Sequence, residues 1–280
     1  MIKRISTGLM LAVGLVLLWI LQGPFMRVFI ALITVMAVCE MQGALEKGGM
    51  KPVKWVAPLY AALSMPVYLL MGEEAMLPLF IVFVLLGMGA VVLSGKPAFE
   101  RIAGTVVTLA YPGLTLTMFY PLQDIPSPYA ATLIMGLSFA VALLSDVFAW
   151  AIGRKWGKRR LAPVISPKKT VEGALGGLLG SVVVVPPVML IARLIMLIRG
   201  VAVTAADMPN VWALLLVSLL AGAASQIGDL AASTVKRWCG VKDYSNILPG
   251  HGGIMDRIDS VLFSIVVFHI YSGLFMGAAL

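Results

Sequence analysis

The sequence predicts an all-α, polytopic integral membrane protein with about nine transmembrane helices, and three observations carry that prediction. Hydrophobic residues fill 60% of the 280 positions, while charged residues fill only 12%. The mean hydropathy of +0.99 lies far above that of water-soluble globular domains. Turn and charge punctuation cuts the chain into nine apolar stretches, each near the roughly 20 residues that a span requires.

Taken in order, the stretches cover residues 5–21, 25–43, 53–71, 76–94, 102–120, 129–152, 172–198, 211–235 and 257–278. The first follows Lys3 and Arg4 and so imitates a signal peptide. Leu21-Gln22-Gly23-Pro24-Phe25 offers no small-x-small cleavage pattern, however, which predicts a retained helix. Pro58, Pro66, Pro112 and the pair Pro186-Pro187 fall inside stretches, where neighbouring helices can satisfy the freed carbonyls, so they predict kinks rather than ends. Of the 21 Lys and Arg residues, all but Arg27, Arg193 and Arg199 lie in or beside alternate connecting segments. The positive-inside rule therefore predicts a cytoplasmic N-terminus and a C-terminus on the outer side. No soluble domain and no internal repeat interrupts the pattern, so residues 1–280 are expected to form a single membrane domain.

The net charge of +8 first reports orientation in such a chain, and next an affinity for anionic headgroups or phosphate substrates; a nucleic-acid partner is not expected. Two cysteines, Cys39 and Cys239, are too few for a disulfide framework or a zinc site.

Polar chemistry concentrates between Gln226 and Asp259. On the eighth stretch, Ser225, Gln226, Asp229, Ser233 and Lys236 fall within one helical stripe roughly 100° wide, on a helix otherwise built from Leu, Ala, Gly and Val. Hydroxyls and amides alone could serve as helix-helix glue. A carboxylate and a lysine on the same stripe point instead to a bundle interior or a water-filled cavity. Asp256 and Asp259, three apart, open the ninth helix on one face, with Ser260 beside them. The helix dipole favours acids there in any case. It does not account for Asp229 one helix away, nor for Asp243 in the connecting loop. Hard oxygen donors gathered at a cytoplasmic cavity suit Mg²⁺, which takes one or two carboxylates and leaves its other positions to water and substrate phosphates.

Between these acids lies Pro249-Gly250-His251-Gly252-Gly253, a glycine turn whose amides can approach an anion. Lys236, Arg237, Lys242 and Arg257 surround it, which favours phosphate binding over a simple turn, with His251 as either a donor to phosphate or a packing residue. His269 falls about 20 Å further along the helix and is expected to be structural. A second polar block runs from Asp146 through the basic residues Arg154 to Arg160 to Ser166-Pro167-Lys168-Lys169-Thr170-Val171-Glu172-Gly173. Anionic headgroups explain its charge, and Lys169-Thr170 reads as the cap of the seventh helix.

These two blocks resemble the signature of the phosphatidate cytidylyltransferases, the CDP-diacylglycerol synthases. The resemblance rests on Ser233-Thr234-Val235-Lys236-Arg237, Lys242-Asp243 and Leu248 to Asp259. It extends to Asp146, Gly153-Arg154, Gly157-Lys158 and Ser166 to Gly173. It departs at Trp150, where tyrosine is more usual, and covers about the last half of the chain.

The resemblance implies a polytopic inner-membrane enzyme, commonly dimeric, that transfers CMP from CTP to phosphatidic acid with release of pyrophosphate. It also implies a metal site on Asp229 and Asp256, using Mg²⁺ and leaving room for a monovalent cation such as K⁺. On this reading Asp229, Lys236, Arg237, Asp256 and Asp259 carry catalysis. Ser166, Lys168, Lys169, Thr170, Ser233, Lys242, Asp243, His251, Gly252, Gly253 and Arg257 bind substrate. Helices of residues 1–125 form a lipid-facing or dimerising scaffold, and residues 126–280 supply the catalytic helices and cytoplasmic loops. A CTP-dependent polyprenol or phytol kinase and a secondary transporter are the alternatives.

Overall fold

The computed structural model describes residue 17 and residues 19–248 and 252–277. Among these, seven helical segments are long and apolar enough to cross a membrane: 23–47, 73–93, 99–122, 128–156, 171–198, 205–238 and 255–275. With the helix Val56–Met71, which at 16 residues is shorter than a usual span, they account for eight of the nine predicted stretches. The remaining one, 5–21, lies almost wholly outside the described residues. The chain is a multi-pass, all-helical membrane protein with one small addition that the sequence did not announce, a β-hairpin.

In chain order the elements are α1 (Gly23–Lys47), α2 (Val56–Met71), α3 (Met76–Leu93), α4 (Phe99–Thr108), α5 (Thr115–Thr117), α6 (Phe119–Leu122) and α7 (Pro128–Trp156). Then follow β1 (Arg160–Ala162), β2 (Ser166–Thr170), α8 (Val171–Val183), α9 (Val185–Ile198), α10 (Val211–Trp238) and α11 (Met255–Phe275). Strands β1 and β2 pair antiparallel, Arg160 opposite Thr170 and Ala162 opposite Ser166, with an irregularity between the two pairs.

The prolines act in two different ways. Pro66 sits inside α2 and Pro112 inside a six-residue π-helical turn, Leu109–Leu114, which joins α4 to α5. Such a wide turn is where a helix absorbs a residue lacking its N–H donor. Pro58 and the Pro186-Pro187 pair, by contrast, stand in the first turns of α2 and α9, where an N–H has no intrahelical acceptor to lose. At Pro58 the expected kink is a helix start, whereas at Pro186-Pro187 the span 171–198 is interrupted at Val184 alone, just before the pair.

Contacts divide the chain into two compact units, Met1–Tyr120 with Thr234–Ile258, and Pro121–Ser233 with Asp259–Leu280. In the first, α1 to α4 bury a cluster around Tyr60, whose ring meets Phe80 and Phe83 edge-on with centroids 6.4 and 5.7 Å away. The loop entering α2 is fixed by Val53 N–H donating to Thr105 Oγ1 at 2.9 Å.

In the second unit α7 and α8 approach until backbone meets side chain. A Cβ on Gly176 would fall 2.6 Å from Ile152, and one on Gly180 would fall 2.8 Å from the Leu144 carbonyl. One on Gly177 would fall 2.6 Å from Gln226 Nε2 and 2.9 Å from Ser145 Oγ. Small residues of this kind are how membrane helices reach close contact without a hydrophobic drive between them. Gly177→Val should therefore cost about 1–3 kcal/mol by overpacking. Thermal unfolding in detergent measures it, and an unchanged midpoint would refute the close-contact account.

Candidate functional site

The second unit holds a cavity of about 600 Å³ in which charged residues of α7, the hairpin and α10 meet. Helix α7 presents Asp146, Trp150, Gly153 and Arg154, which helical spacing puts on one side. Helix α10 contributes Gln226 and Asp229, and the hairpin contributes Arg160, Leu161, Lys168, Lys169 and Thr170. Lys169 forms an ion pair with Asp229, both side chains being about three-quarters buried. Asp146 Oδ2 accepts from Ser260 Oγ at 3.1 Å, and the neighbouring Asp259 is buried with its Oδ1 accepting from Ser260 N–H at 2.8 Å. Gln226 Nε2 donates to Ala174 O at 3.0 Å and to Ser145 Oγ at 3.3 Å, so it ties α10 to α8 and α7. Two carboxylates and four cations thus line one cavity.

The wall between α7 and α8 is a knuckle built on one hydroxyl. Thr170 caps α8 by accepting from Gly173 N–H at 3.1 Å. A Cβ on Gly153, Gly157 or Gly173 would fall 2.8, 2.6 or 2.9 Å from that same Oγ1. Glu172 completes the joint: its Oε2 accepts from the N–H groups of Lys158 and Arg159 at 3.0 and 3.2 Å, and its Oε1 accepts from Arg159 Nε at 3.2 Å. The hairpin is therefore bolted to the helix ends rather than hung between them.

In the first unit the approach to α11 is organised by two acids. Asp256 Oδ1 accepts from Lys236 Nζ at 2.7 Å, and its Oδ2 accepts from the N–H groups of Tyr244 and Gly253 at 2.9 and 3.0 Å. The Lys236 ammonium also lies 5.4 Å from the centroid of the buried Tyr244 ring. The second acid is Glu40 of α1, only 5% exposed. Its Oε1 accepts from Ser245 Oγ at 2.5 Å and Ile254 N–H at 3.0 Å, and its Oε2 accepts from Met255 N–H at 2.8 Å. Gly252 adopts φ +81°, and Gly253 passes so near Glu40 that a Cβ would lie 2.4 Å from Oε2. Both glycines are required by the turn, and the anions their segment receives are the protein's own carboxylates.

Of the residues singled out from sequence, the cavity gathers Asp229, Lys168, Lys169 and Thr170. Lys236, Asp256 and Gly253 form the second cluster. Ser166 lies in β2 and Ser233 is half-buried on α10, whereas Arg237, Lys242, Asp243 and Arg257 are exposed to solvent. His251 lies outside the described residues. Glu40 was missed because a lone acid in an apolar stretch has no local partner to flag it, its donors standing more than 200 residues away. Its signal was the rule that an ionisable residue inside a span has a task.

The model of the Cytidylyltransferase family matches residues 2–275. The chain belongs to that family. Its similar relatives include proteins named phosphatidate cytidylyltransferase from Staphylococcus haemolyticus, 39% identical, and Staphylococcus epidermidis, 37% identical. One from Staphylococcus aureus is 36% identical. Each alignment covers 173 residues, which is 62% of this chain and 60% of the relative, so this cytidylyltransferase-family chain matches about three-fifths of each relative's length.

Among the described residues no group of three or more His, Cys, Asp or Glu side chains converges as a metal site. Asp146 and Asp229 nevertheless bring two hard oxygen donors to one cavity, and Mg²⁺ asks no more of a protein when phosphates and water complete its shell. The residues present fit that ion. Asp256 is differently placed, since three protein donors already fill its two oxygens.

Removing the Glu40 carboxylate orphans two backbone donors at the start of α11. Charge-assisted bonds are worth about 1.5–3 kcal/mol each, so Glu40→Ala should lose about 3 kcal/mol or more, with faster hydrogen exchange at Ile254 and Met255. Unchanged exchange at those two amides would overturn the capping role.

Proposed function

We propose that this chain transfers CMP from CTP to phosphatidic acid, giving CDP-diacylglycerol and pyrophosphate. The observation that carries the reading is the composition of the cavity in the second unit: Asp146 and Asp229 face Arg154, Arg160, Lys168 and Lys169 across one space. Membership of the Cytidylyltransferase family and the names of the relatives support it.

A phosphate monoester is already substantially ionised near pH 7, so its oxygen can attack the α-phosphorus of CTP without a strong general base. The new P–O bond forms as the bond to the pyrophosphate oxygen breaks. What such a reaction needs from a protein is neutralisation and in-line placement of two anions that repel each other. Arg154, Arg160 and Lys168 supply fixed positive charge, and Lys169 can leave Asp229 for an incoming phosphate. A divalent cation held by Asp229, with Asp146 beside it, would supply further charge neutralisation on the triphosphate. Asp256 belongs to the same proposal, with Lys236 as the group that a cation would displace and that would then meet a phosphate. Asp259, Ser233, Arg237, Lys242, Asp243, His251 and Arg257 remain proposed contacts to substrate, and a monovalent ion such as K⁺ a proposed companion.

An inner-membrane location with the cavity facing the cytoplasm agrees with the basic-residue bias. A homodimer completes the proposal.

Purified protein in detergent should convert CTP and phosphatidic acid to CDP-diacylglycerol with equimolar pyrophosphate, lose activity in EDTA and regain it with Mg²⁺. Asp229→Asn should lower kcat/KM by at least about 100-fold, the scale on which a transition-state charge contact acts. Asp256→Asn should do the same, with its unfolding midpoint recorded alongside because it also opens the turn at Gly253. Full activity in both variants would sink the carboxylate assignment, and release of CDP in place of pyrophosphate would make the protein a kinase.

A further inference from the structure

The hairpin between α7 and α8 has a tip that its charges do not explain. Its turn is Pro163-Val164-Ile165, which with Leu161-Ala162 at the end of β1 makes five apolar residues between Lys158-Arg159-Arg160 and Lys168-Lys169. Turns exposed to water ordinarily use Gly, Asn, Asp or Ser, whose side chains satisfy local backbone groups. Val164 is 90% exposed, and Leu161 is 37% exposed. Just before the hairpin, Trp156 is exposed with the Lys155 ammonium 4.6 Å from its ring centroid. A floppy loop could fold such residues inward. This one cannot, because Glu172 and Thr170 clamp its base to the helix ends.

We infer that the 157–170 hairpin is an interfacial docking element: Val164 and Pro163 enter the headgroup layer of an anionic leaflet while the flanking bases hold its lipid phosphates. Position favours this partner, since α7 and α8 are both long enough to span, and the hairpin joining them must emerge where spans end. Charge favours it as well. Arg154, Lys155, Lys158, Arg160 and Lys168 are all exposed, whereas Glu172 is already engaged by Arg159. Basic residues beside a span are drawn to anionic lipid, and a tryptophan beside them prefers the headgroup level. Free nucleotide would account for the cations but gives the exposed Val164 nothing to contact. A second copy presenting the same hairpin would meet like charge.

The inference goes beyond the proposed reaction, and its first test needs no turnover. Full-length protein carrying Cys39→Ser, Cys239→Ala and Val164→Cys is labelled with bimane at the tip. It is then reconstituted into nanodiscs of phosphatidylcholine, with or without phosphatidylglycerol, brominated near the top of the acyl chains. We expect bromine quenching to be strongest in the phosphatidylglycerol discs. The anionic increment should fade as salt shortens the screening length from about 10 Å at 0.1 M to about 3 Å at 1 M. Quenching by aqueous iodide with none by bromine would place the tip in water and overturn the proposal. So would protection by CTP that salt does not alter.

A second variant, Val164→Asp, tests consequence. In mixed micelles it should raise the surface fraction of phosphatidic acid needed for half-maximal rate severalfold, leaving kcat and the KM for CTP unchanged. A fall in kcat alone would contradict docking. If the chain catalyses some other reaction, the quenching experiment still decides the inference.

Discussion

Glu40 gives one buried carboxylate to three donors, and the order of the first unit follows from that arrangement. An uncompensated charge inside an apolar helix would be severely unfavourable, so the anion must be met from somewhere. It is met by the opening amides of α11, which lack acceptors of their own because a helix begins with unbonded N–H groups. Two deficits thus cancel. The match has steric terms: the chain can bring those amides close enough only if residue 253 has no side chain. With the turn held there, the Gly253 amide also reaches Asp256, and Asp256 in turn engages Lys236.

The two lysine–carboxylate pairs share a logic. Lys169 on Asp229 and Lys236 on Asp256 each offset a carboxylate's charge in surroundings that penalise isolated charge. A pair of this kind contributes little net stability compared with an apolar replacement, so stability alone is a weak reason for it. Each lysine is a cation that a stronger cation can replace, and each is then free to meet an anion. On the proposed reaction, the arrangement would let the protein stay folded without substrate and offer charges of both signs when one arrives.

Much of the fold was legible because the dominant signal was local. Apolar runs of span length located the helices, and the Thr170 cap was readable because donor and acceptor lie three residues apart. What failed to show was non-local or atypical. Apolar periodicity does not say whether Pro186-Pro187 interrupts a helix or begins one, because the residues around the pair are equally apolar. The hairpin has strands of three and five residues and a turn without glycine or asparagine, so neither alternation nor turn chemistry betrayed it. In the cavity, Asp229 stood out as a charge in apolar company, and Lys168 and Lys169 as part of a basic block between two spans. Gln226 looked like ordinary helix glue, and its role as a tie among three helices depends on Gly177 giving it room. Glu40 needed partners from the far end of the chain, which no local pattern contains.

The Thr170 hydroxyl has a consequence for how this region tolerates change. Gly153, Gly157 and Gly173 come from a helix, its exit and the next helix, yet the space each leaves open is bounded by the same oxygen. Their substitutions are not three independent events. A methyl group at any of them would have to push Thr170 aside and loosen the cap, and at Gly157 or Gly173 it would meet a backbone carbonyl as well. Damage at the three positions should therefore sum to less than its parts, as it does for residues that share one partner. A lineage that had lost the Thr170 side chain would gain room mainly at Gly153, because a Cβ on Gly157 would still lie 2.3 Å from the Gly153 carbonyl oxygen and one on Gly173 2.7 Å from that of Ala149.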